Sequence, residues 1–171
     1  MKRGNASGWP QSANTSSTLA TSLRSNAMVI SEDQNWTTTV YGTTPDYFVI
    51  RAWPIARGVG LTQSDVDAGT KIAVLGRTVA DKLYGPNADP TGQVVRIKKV
   101  PFQIVGLLEK KGQSPMGQDY DDAIFIPVST FRAKIQGGLQ NYISGVITVG
   151  AVSADATARA ERQIASLLRD R

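Results

Sequence analysis

Alternation of apolar and polar side chains is clearest over residues 36–41, where Trp36, Thr38 and Val40 fall on one side of an extended chain. Such alternation among β-branched and aromatic residues predicts a strand. Residues 27–31 form another strand-like run, and the polar residues 31–34 predict a turn between the two. A second turn is expected at residues 43–48, around Pro45.

Further along, residues 71–76 and 123–128 read as buried strands, and 93–99 and 101–112 as the two arms of a hairpin. Residues 77–85 have helical spacing and end at a glycine, which predicts a short helix. A last strand is expected over residues 141–149. Residues 153–171 read as an amphipathic helix whose apolar positions are Ala156, Ala160, Ile164, Leu167 and Leu168.

Capping residues predict where three helices begin. Thr62 lies three residues before Asp65, and Gly69 provides a stop, so we expect one helical turn between them. Ser129 is expected to cap a helix over residues 129–136, and Ser153 to cap the terminal one. Residues 1–27 are rich in serine, threonine and asparagine and are predicted to be loop or disordered. The mixture of strands, hairpins and short helices predicts an α+β fold with a mixed sheet or sheets.

Composition removes several classes of chemistry. The 171-residue chain contains no cysteine and no histidine, which excludes disulfides, thiol nucleophiles, serine–histidine–aspartate triads and histidine zinc sites. No apolar run reaches the ~18–20 residues of a membrane helix. A net charge of +5 is usual for a domain of this size and favours solubility, and it would also suit an acidic partner.

Motifs for cofactors and metals are weak. The glycine spacing after residues 71–75 fits neither a dinucleotide fold nor a phosphate-binding loop, so no cofactor is expected. Asp119, Asp121 and Asp122 offer carboxylates to a calcium ion but lack the EF-hand spacing, and we interpret them as a solvated loop. Asp46 and Glu109 illustrate the carboxylate pairs from which a glycosidase site can be drawn. No catalytic residue and no metal site are assigned.

Basic residues gather on and beside the predicted hairpin. Lys98 and Lys99 occupy its tip, and Lys110 and Lys111 follow its second strand. These four lysines are the candidate contacts for a partner, either an acidic protein or lipid headgroups; nucleic acid is the least favoured partner, because Phe102 reads as core rather than as a stacking platform.

Four blocks, in one order, carry a resemblance to a known family. "NWTTTVYGTTPDYFVIRAWPIARG", "KIAVLGRTVADKLYG", "DPTGQVVRIKKVPFQIVGLLEKKG" and "DDAIFIPVSTF" resemble the extracytoplasmic core domain of MacB-type ABC transporter permeases, a family that includes FtsX-like and lipoprotein-releasing permeases. Most matching residues are turn formers or core apolar residues. The resemblance is therefore to a scaffold. Many relatives carry glycine at the hairpin tip, where this chain has two lysines.

The resemblance implies two subdomains. Residues 1–50 and 139–171 would form a membrane-proximal part, and residues 51–138 a distal insertion. It implies a domain on the outer side of the cytoplasmic membrane that is not an enzyme and is monomeric in isolation. Its partners would be the permease's own membrane helices and ATPase, a periplasmic adaptor and, through the adaptor, an outer-membrane channel.

The function implied is a mechanical relay from ATP hydrolysis to the efflux of toxins, peptides or antibiotics. Two alternatives stay open at this point. One is the corresponding domain of a lipoprotein-releasing permease, and the other is a carbohydrate-active enzyme with a carboxylate pair.

Overall fold

Strands dominate the part of the chain that the structure, a computed structural model, describes: residues 18–135 and 145–150, with Arg162, Ala165, Ser166 and Arg169 in helical conformation. Two compact units are present, one of Met1–Leu19 with Val149–Arg171 and the other of Ala20–Thr148. The strands are Thr18–Ile30 (β1), Asn35–Thr43 (β2), Ile55–Gly58 (β3), Ile72–Leu75 (β4), Val94–Ile97 (β5), Val100–Leu108 (β6), Ala123–Pro127 (β7) and Gly145–Gly150 (β8). The helices are Asp46–Ile50 (α1), Gln63–Ala68 (α2), Arg77–Tyr84 (α3) and Val128–Thr130 (α4), the last followed by a π-helical turn over Phe131–Ile135.

The strand pairings close into a ring. β1 pairs antiparallel with β2, β2 parallel with β7, and β7 antiparallel with β4. β4 then pairs parallel with β6, β6 antiparallel with β5, and β5 returns to β1 through Val29 and Ile30. β3 adds to β6, and β8 neighbours β1. This mixed sheet with short helices confirms the predicted α+β class.

Strands β4 and β7 supply alternate side chains to two apolar clusters. On β7, Ile124 and Ile126 enter one cluster, together with α3 and the inner positions of β5 and β6. Phe125 between them enters the other cluster, which Tyr47 of α1 and Trp53 cover. Burial on both faces explains why β4 and β7 read as continuous apolar runs.

The first strand corrects the interpretation of residues 1–27. β1 begins at Thr18, so residues 18–27 are strand rather than loop, while residues 1–17 lie outside the described residues. Nine consecutive residues, Ser22–Ile30, pair with β2. Small residues such as Ala27 fill the inward positions beside Leu23, so pairing rather than local hydrophobicity makes this segment a strand.

The cap of α2 agrees with prediction, and that of α4 differs from it. Thr62 and Asp65 form the reciprocal capping box of α2, and Gly69 ends it in the left-handed conformation, as predicted. Ser129 does not cap the next helix; it lies inside α4, and its hydroxyl donates to the Val66 carbonyl of α2. The predicted turn at residues 43–48 continues into the five-residue helix α1.

The predicted Ser153 cap and the apolar positions of the terminal helix lie outside the described residues. Within the described residues, no helix has both the length and the apolar character needed to cross a membrane.

Candidate functional site

Between β6 and β7 the chain forms a small ordered loop. Gln113 and Asp119 face each other as an isolated antiparallel bridge pair. Inside it, the Ser114 N–H donates to the Gln118 carbonyl at 2.7 Å and the Gly117 N–H donates to the Ser114 carbonyl at 2.9 Å. Gly117 has φ +85°, which closes the turn in a conformation that glycine adopts without strain. We call residues 113–119 the apical hairpin.

The apex of the apical hairpin carries an unburied apolar side chain. Met116 is 96% exposed, and Pro115 before it is also exposed. Proline at this turn position restricts φ and limits the conformations of the apex. A fixed turn therefore presents a flexible, polarisable thioether to solvent, a side chain that is well suited to irregular apolar contacts.

Two carboxylates, those of Asp119 and Asp121, hold the base of the apical hairpin. Asp121 accepts hydrogen bonds from the backbone N–H groups of Lys111 at 2.8 Å and Gly112 at 2.9 Å. Asp119 accepts from the Thr78 hydroxyl at 2.7 Å and from the Asp121 N–H at 2.9 Å. The loop is thereby joined to the end of β6 and to α3.

Asp122 has partners of its own on β2. Its Oδ1 accepts from the Trp36 indole N–H at 2.9 Å and from the Thr38 hydroxyl at 2.7 Å. Lys82 lies over the Trp36 ring, 4.9 Å from its centroid. The carboxylate therefore connects the loop to the side of β2 that carries Trp36 and Thr38, the two residues that the alternation placed on one face.

The interpretation of these aspartates as a solvated loop is wrong for Asp121, which is 2% exposed. Because a buried carboxylate is stable only with hydrogen-bond donors around it, the two backbone N–H groups account for its position. In the described residues, no group of three or more histidine, cysteine, aspartate or glutamate side chains is arranged to hold a metal ion.

The four candidate lysines fall at two separate places. Lys98 and Lys99 form the β5–β6 turn, whereas Lys110 and Lys111 lie at the other end of β6. The nine residues of β6 separate the two pairs by about 30 Å at the usual rise per residue. Both positions are those that the sequence predicted, the hairpin tip and the end of its second strand, and the fold keeps the two pairs apart.

Two of these lysines have structural partners. The Lys111 ammonium donates to the Arg51 carbonyl at 2.8 Å and lies 5.2 Å from the centroid of the Trp53 ring. The Lys98 ammonium donates to the Ile135 carbonyl at 3.3 Å. Within residues 18–135, Lys99 and Lys110 are exposed and make no hydrogen bond or ion pair.

The β5–β6 turn explains why glycine suits this position. Lys98 has φ +48° and Lys99 φ +69°, the backbone of a two-residue hairpin turn that favours asparagine and glycine. Both lysines are therefore held in a conformation that costs energy for an L-residue.

The carboxylates that illustrated a glycosidase pair are at exposed positions. Asp46 opens α1, and Glu109 follows the last residue of β6. Glu109 contributes through its backbone, since its carbonyl accepts from the Trp53 indole N–H at 2.7 Å.

A recess lies beside the apical hairpin that the sequence did not indicate. Its walls come from β1, β2, α1 with the residue after it, and the residues after the hairpin apex. They include Ser22, Arg24, Tyr41, Tyr47, Arg51, Gln118 and Tyr120. We call these residues the tyrosine–arginine recess. Their positions in the chain are far apart, and only the β1–β2 register, which places Arg24 opposite Tyr41, would have brought them together in a prediction.

Comparison with known proteins identifies the family. The family model described as the MacB-like periplasmic core domain matches residues 10–167. This chain belongs to the MacB-like periplasmic core domain family. The family resemblance drawn from the four sequence blocks is thereby confirmed, and the chain is a MacB-like periplasmic domain of an ABC transporter permease.

Curated relatives of the chain are ATP-binding/permease proteins named for export. The chain is 37% identical over 149 residues to the macrolide export ATP-binding/permease protein MacB of Rhodospirillum rubrum, covering 87% of this chain and 22% of that protein. It is 36% identical over 129 residues to the pyoverdine export ATP-binding/permease protein PvdT of Pseudomonas aeruginosa, covering 75% of this chain and 19% of that protein. The chain therefore spans about a fifth of the length of these relatives.

Solved structures agree on the fold. The periplasmic region of MacB from Actinobacillus actinomycetemcomitans superposes with a TM-score of 0.74 at 25% identity, covering 89% of this chain and 65% of that one. The extracellular domain of the noncanonical ABC-type transporter YknZ from Gram-positive bacteria has a TM-score of 0.69 at 16% identity, covering 91% of this chain and 79% of that one. The second likeness concerns the fold alone.

Proposed function

We propose that this MacB-like domain serves an export permease of the inner membrane, faces the periplasm, docks a periplasmic adaptor and relays ATP-driven motion without catalysing a reaction itself. Relatives named for macrolide and pyoverdine export support an export role. Through the adaptor, the permease would reach an outer-membrane channel and expel toxins, peptides or antibiotics.

The observation that carries the docking proposal is the apical hairpin. An exposed methionine side chain gains free energy when a partner buries it, because exposed apolar area is unfavourable in water. Here Met116 lies on a turn whose base is held by two partly buried hydrogen bonds to Asp121. A preformed apolar projection lowers the entropy lost on association, so it favours binding to a pocket on a partner.

Two lysines are further partner contacts in this proposal. The ammonium groups of Lys99 and Lys110 have no partner within residues 18–135, whereas those of Lys98 and Lys111 donate hydrogen bonds to backbone carbonyls. The division into a membrane-proximal part of residues 1–50 and 139–171 and a distal part of residues 51–138 is likewise proposed.

The test is a binding measurement between the purified permease that carries this chain and its genomically adjacent adaptor. We expect Met116→Ser to weaken binding about tenfold or more, because burying a methionine side chain contributes roughly 1.5–3 kcal/mol. Val94→Ser removes another exposed apolar side chain, on β5, and serves as the matched control. Equal affinity of wild type and Met116→Ser would show that the hairpin does not dock, and no adaptor binding by the wild type would refute the proposal.

A further inference from the structure

The tyrosine–arginine recess combines positive charge with aromatic walls. Arg24 on β1 lies opposite Tyr41 on β2 in the antiparallel register. Tyr41 stacks on Tyr47 with ring centroids 6.4 Å apart, and the Arg51 guanidinium lies 5.5 Å from the Tyr47 centroid. The hairpin side contributes Tyr120. Tyrosine and arginine are the residue types that dominate binding hot spots.

Neither arginine of the recess forms an ion pair with a carboxylate of residues 18–135. Among the described residues, the lining of the recess contains no aspartate or glutamate. The ion pair between Arg57 and Asp89, at 3.6 Å, involves neither Arg24 nor Arg51. Two guanidinium groups therefore face the same small space without a carboxylate from the described residues to balance them.

The hydroxyl of Tyr47 adds a neutral donor. Burial raises the pKa of Tyr47 above its ordinary value of 10.0, an effect that outweighs the opposing charge of Arg51. The hydroxyl thus keeps its proton at neutral pH and can donate it in a hydrogen bond. Arginine and tyrosine donors together match the acceptor oxygens of a carboxylate.

The size of the recess limits what can enter. Its volume is about 150 Å³, below the roughly 300–1,000 Å³ of sites for small-molecule ligands. A volume of this size suits a single side chain of a partner protein. Gln118 belongs both to the recess and to the apical hairpin, so an occupant of the recess would adjoin the docking surface around Met116.

We propose that the tyrosine–arginine recess binds an aspartate or glutamate side chain of the adaptor, pairing its carboxylate with Arg24 and Arg51 while the tyrosine rings enclose its methylene groups. This inference rests on the proposed docking function. It adds a polar, orienting contact beside the apolar contact of Met116. Charge pairing of this kind adds rate and specificity to association, and loss of one partner of a hydrogen-bonded pair weakens binding.

The first experiment measures binding of the whole permease to its adaptor at low and high salt. We expect the Arg24→Gln/Arg51→Gln variant to lose about tenfold or more in affinity at low salt and to show a weaker salt dependence. The control Arg96→Gln/Arg132→Gln removes the same charge from exposed positions outside the recess and should change affinity less than about twofold. Circular dichroism establishes that both variants are folded.

A charge exchange identifies the partner group. Arg51→Glu should abolish the recess contact, and replacement of one adaptor carboxylate by arginine should restore it. Equal losses in the recess variant and the control would mean general electrostatic steering and would overturn the proposal. So would loss of binding to anionic phosphatidylglycerol vesicles in the recess variant with adaptor binding intact.

A second measurement does not depend on the adaptor. Glutarate, titrated at millimolar concentration, should shift the NMR signals of the Arg24 and Arg51 guanidinium groups and of the Tyr47 ring, while neutral glutaramide should not. If glutarate binds there but the wild-type permease does not bind the adaptor, the recess stands as a carboxylate site and the proposed function fails. If the adaptor binds with Met116 dependence but the recess variant binds normally and glutarate causes no shifts, the recess proposal fails alone.

Discussion

Replacing Asp121 by alanine should destabilise the domain by about 2–4 kcal/mol. The change leaves the N–H groups of Lys111 and Gly112 without their acceptor, and each unpaired buried donor costs about 1–3 kcal/mol. Because both hydrogen bonds are only partly buried, we take the lower half of the summed range. The cavity left by the carboxylate adds to the loss in the same direction.

The assay combines urea unfolding with amide hydrogen exchange. Urea unfolding followed by circular dichroism gives the change in the free energy of unfolding. Exchange at the Lys111 and Gly112 amides should accelerate at least about 30-fold, since about 2 kcal/mol corresponds to that factor. Asp121→Asn keeps one acceptor oxygen and places an amide donor against the other N–H, so it should lose a large part of the same energy.

Asp33→Asn is the matched control. Asp33 lies exposed in the β1–β2 turn, and its change should stay within about 0.5 kcal/mol. If Asp121→Ala unfolds at the wild-type urea concentration and leaves the two amides protected, the carboxylate does not hold the apical hairpin in place.

Three further predictions test other parts of the chain. A Cβ atom at Gly76 would lie 2.2 Å from the Asp121 carbonyl oxygen, so Gly76→Ala should cost more than about 2 kcal/mol in urea unfolding, whereas Gly60→Ala, whose nearest neighbour is 3.5 Å away, should be tolerated; equal effects would refute the contact. Lys99→Gly should raise the free energy of unfolding by about 0.5–1 kcal/mol because it relieves a positive φ, and Lys110→Gly should not; a lower free energy of unfolding in Lys99→Gly would contradict the turn geometry. Burial raises the pKa of Tyr47 above 10.0, so unfolded tyrosine ionises first and stability should fall as pH rises above 10; Tyr47→Phe should flatten that slope, and an unchanged slope would exclude the effect.

The elements that were predicted correctly are those whose signal lies in residues close together in the sequence. β4 is apolar throughout, α3 has helical spacing, and the two arms of the β5–β6 hairpin alternate. The capping box of α2 needs only residues three apart. In each case neighbouring residues carry the whole signal, so distant contacts were not needed.

Elements that depend on distant pairing were missed or misread. β1 has mostly small or polar residues, and its pairing with β2 makes it a strand. β3 has four residues, largely exposed, and exists because it pairs with β6. Ser129 looked like a helix cap, but the fold brings Val66 within reach of its hydroxyl. Tertiary contacts override propensity in all three.

The recess was beyond prediction for the same reason. Arg24 and Tyr120 are almost a hundred positions apart, and the β1 register that orients Arg24 belongs to a segment that read as loop. The lysines, by contrast, were conspicuous in the sequence because they are consecutive. Proximity along the chain favoured Lys98 and Lys99, whereas proximity in space brings together Arg24 and Arg51, which are 27 positions apart in the sequence.

The apical hairpin combines a base held by hydrogen bonds with an exposed apex. The Asp121 backbone lies so close to Gly76 that a methyl group would not fit, and its carboxylate holds the base of the apical hairpin. Because a buried carboxylate is stable only with such donors, the hydrogen bonds of Asp121 both allow its burial and hold a loop whose residues 115–118 are exposed. What this fixed loop exposes is Met116 at the apex and Gln118 beside the recess. A surface needed only for solubility would gain nothing from that order, whereas a docking surface gains affinity by losing less entropy on binding.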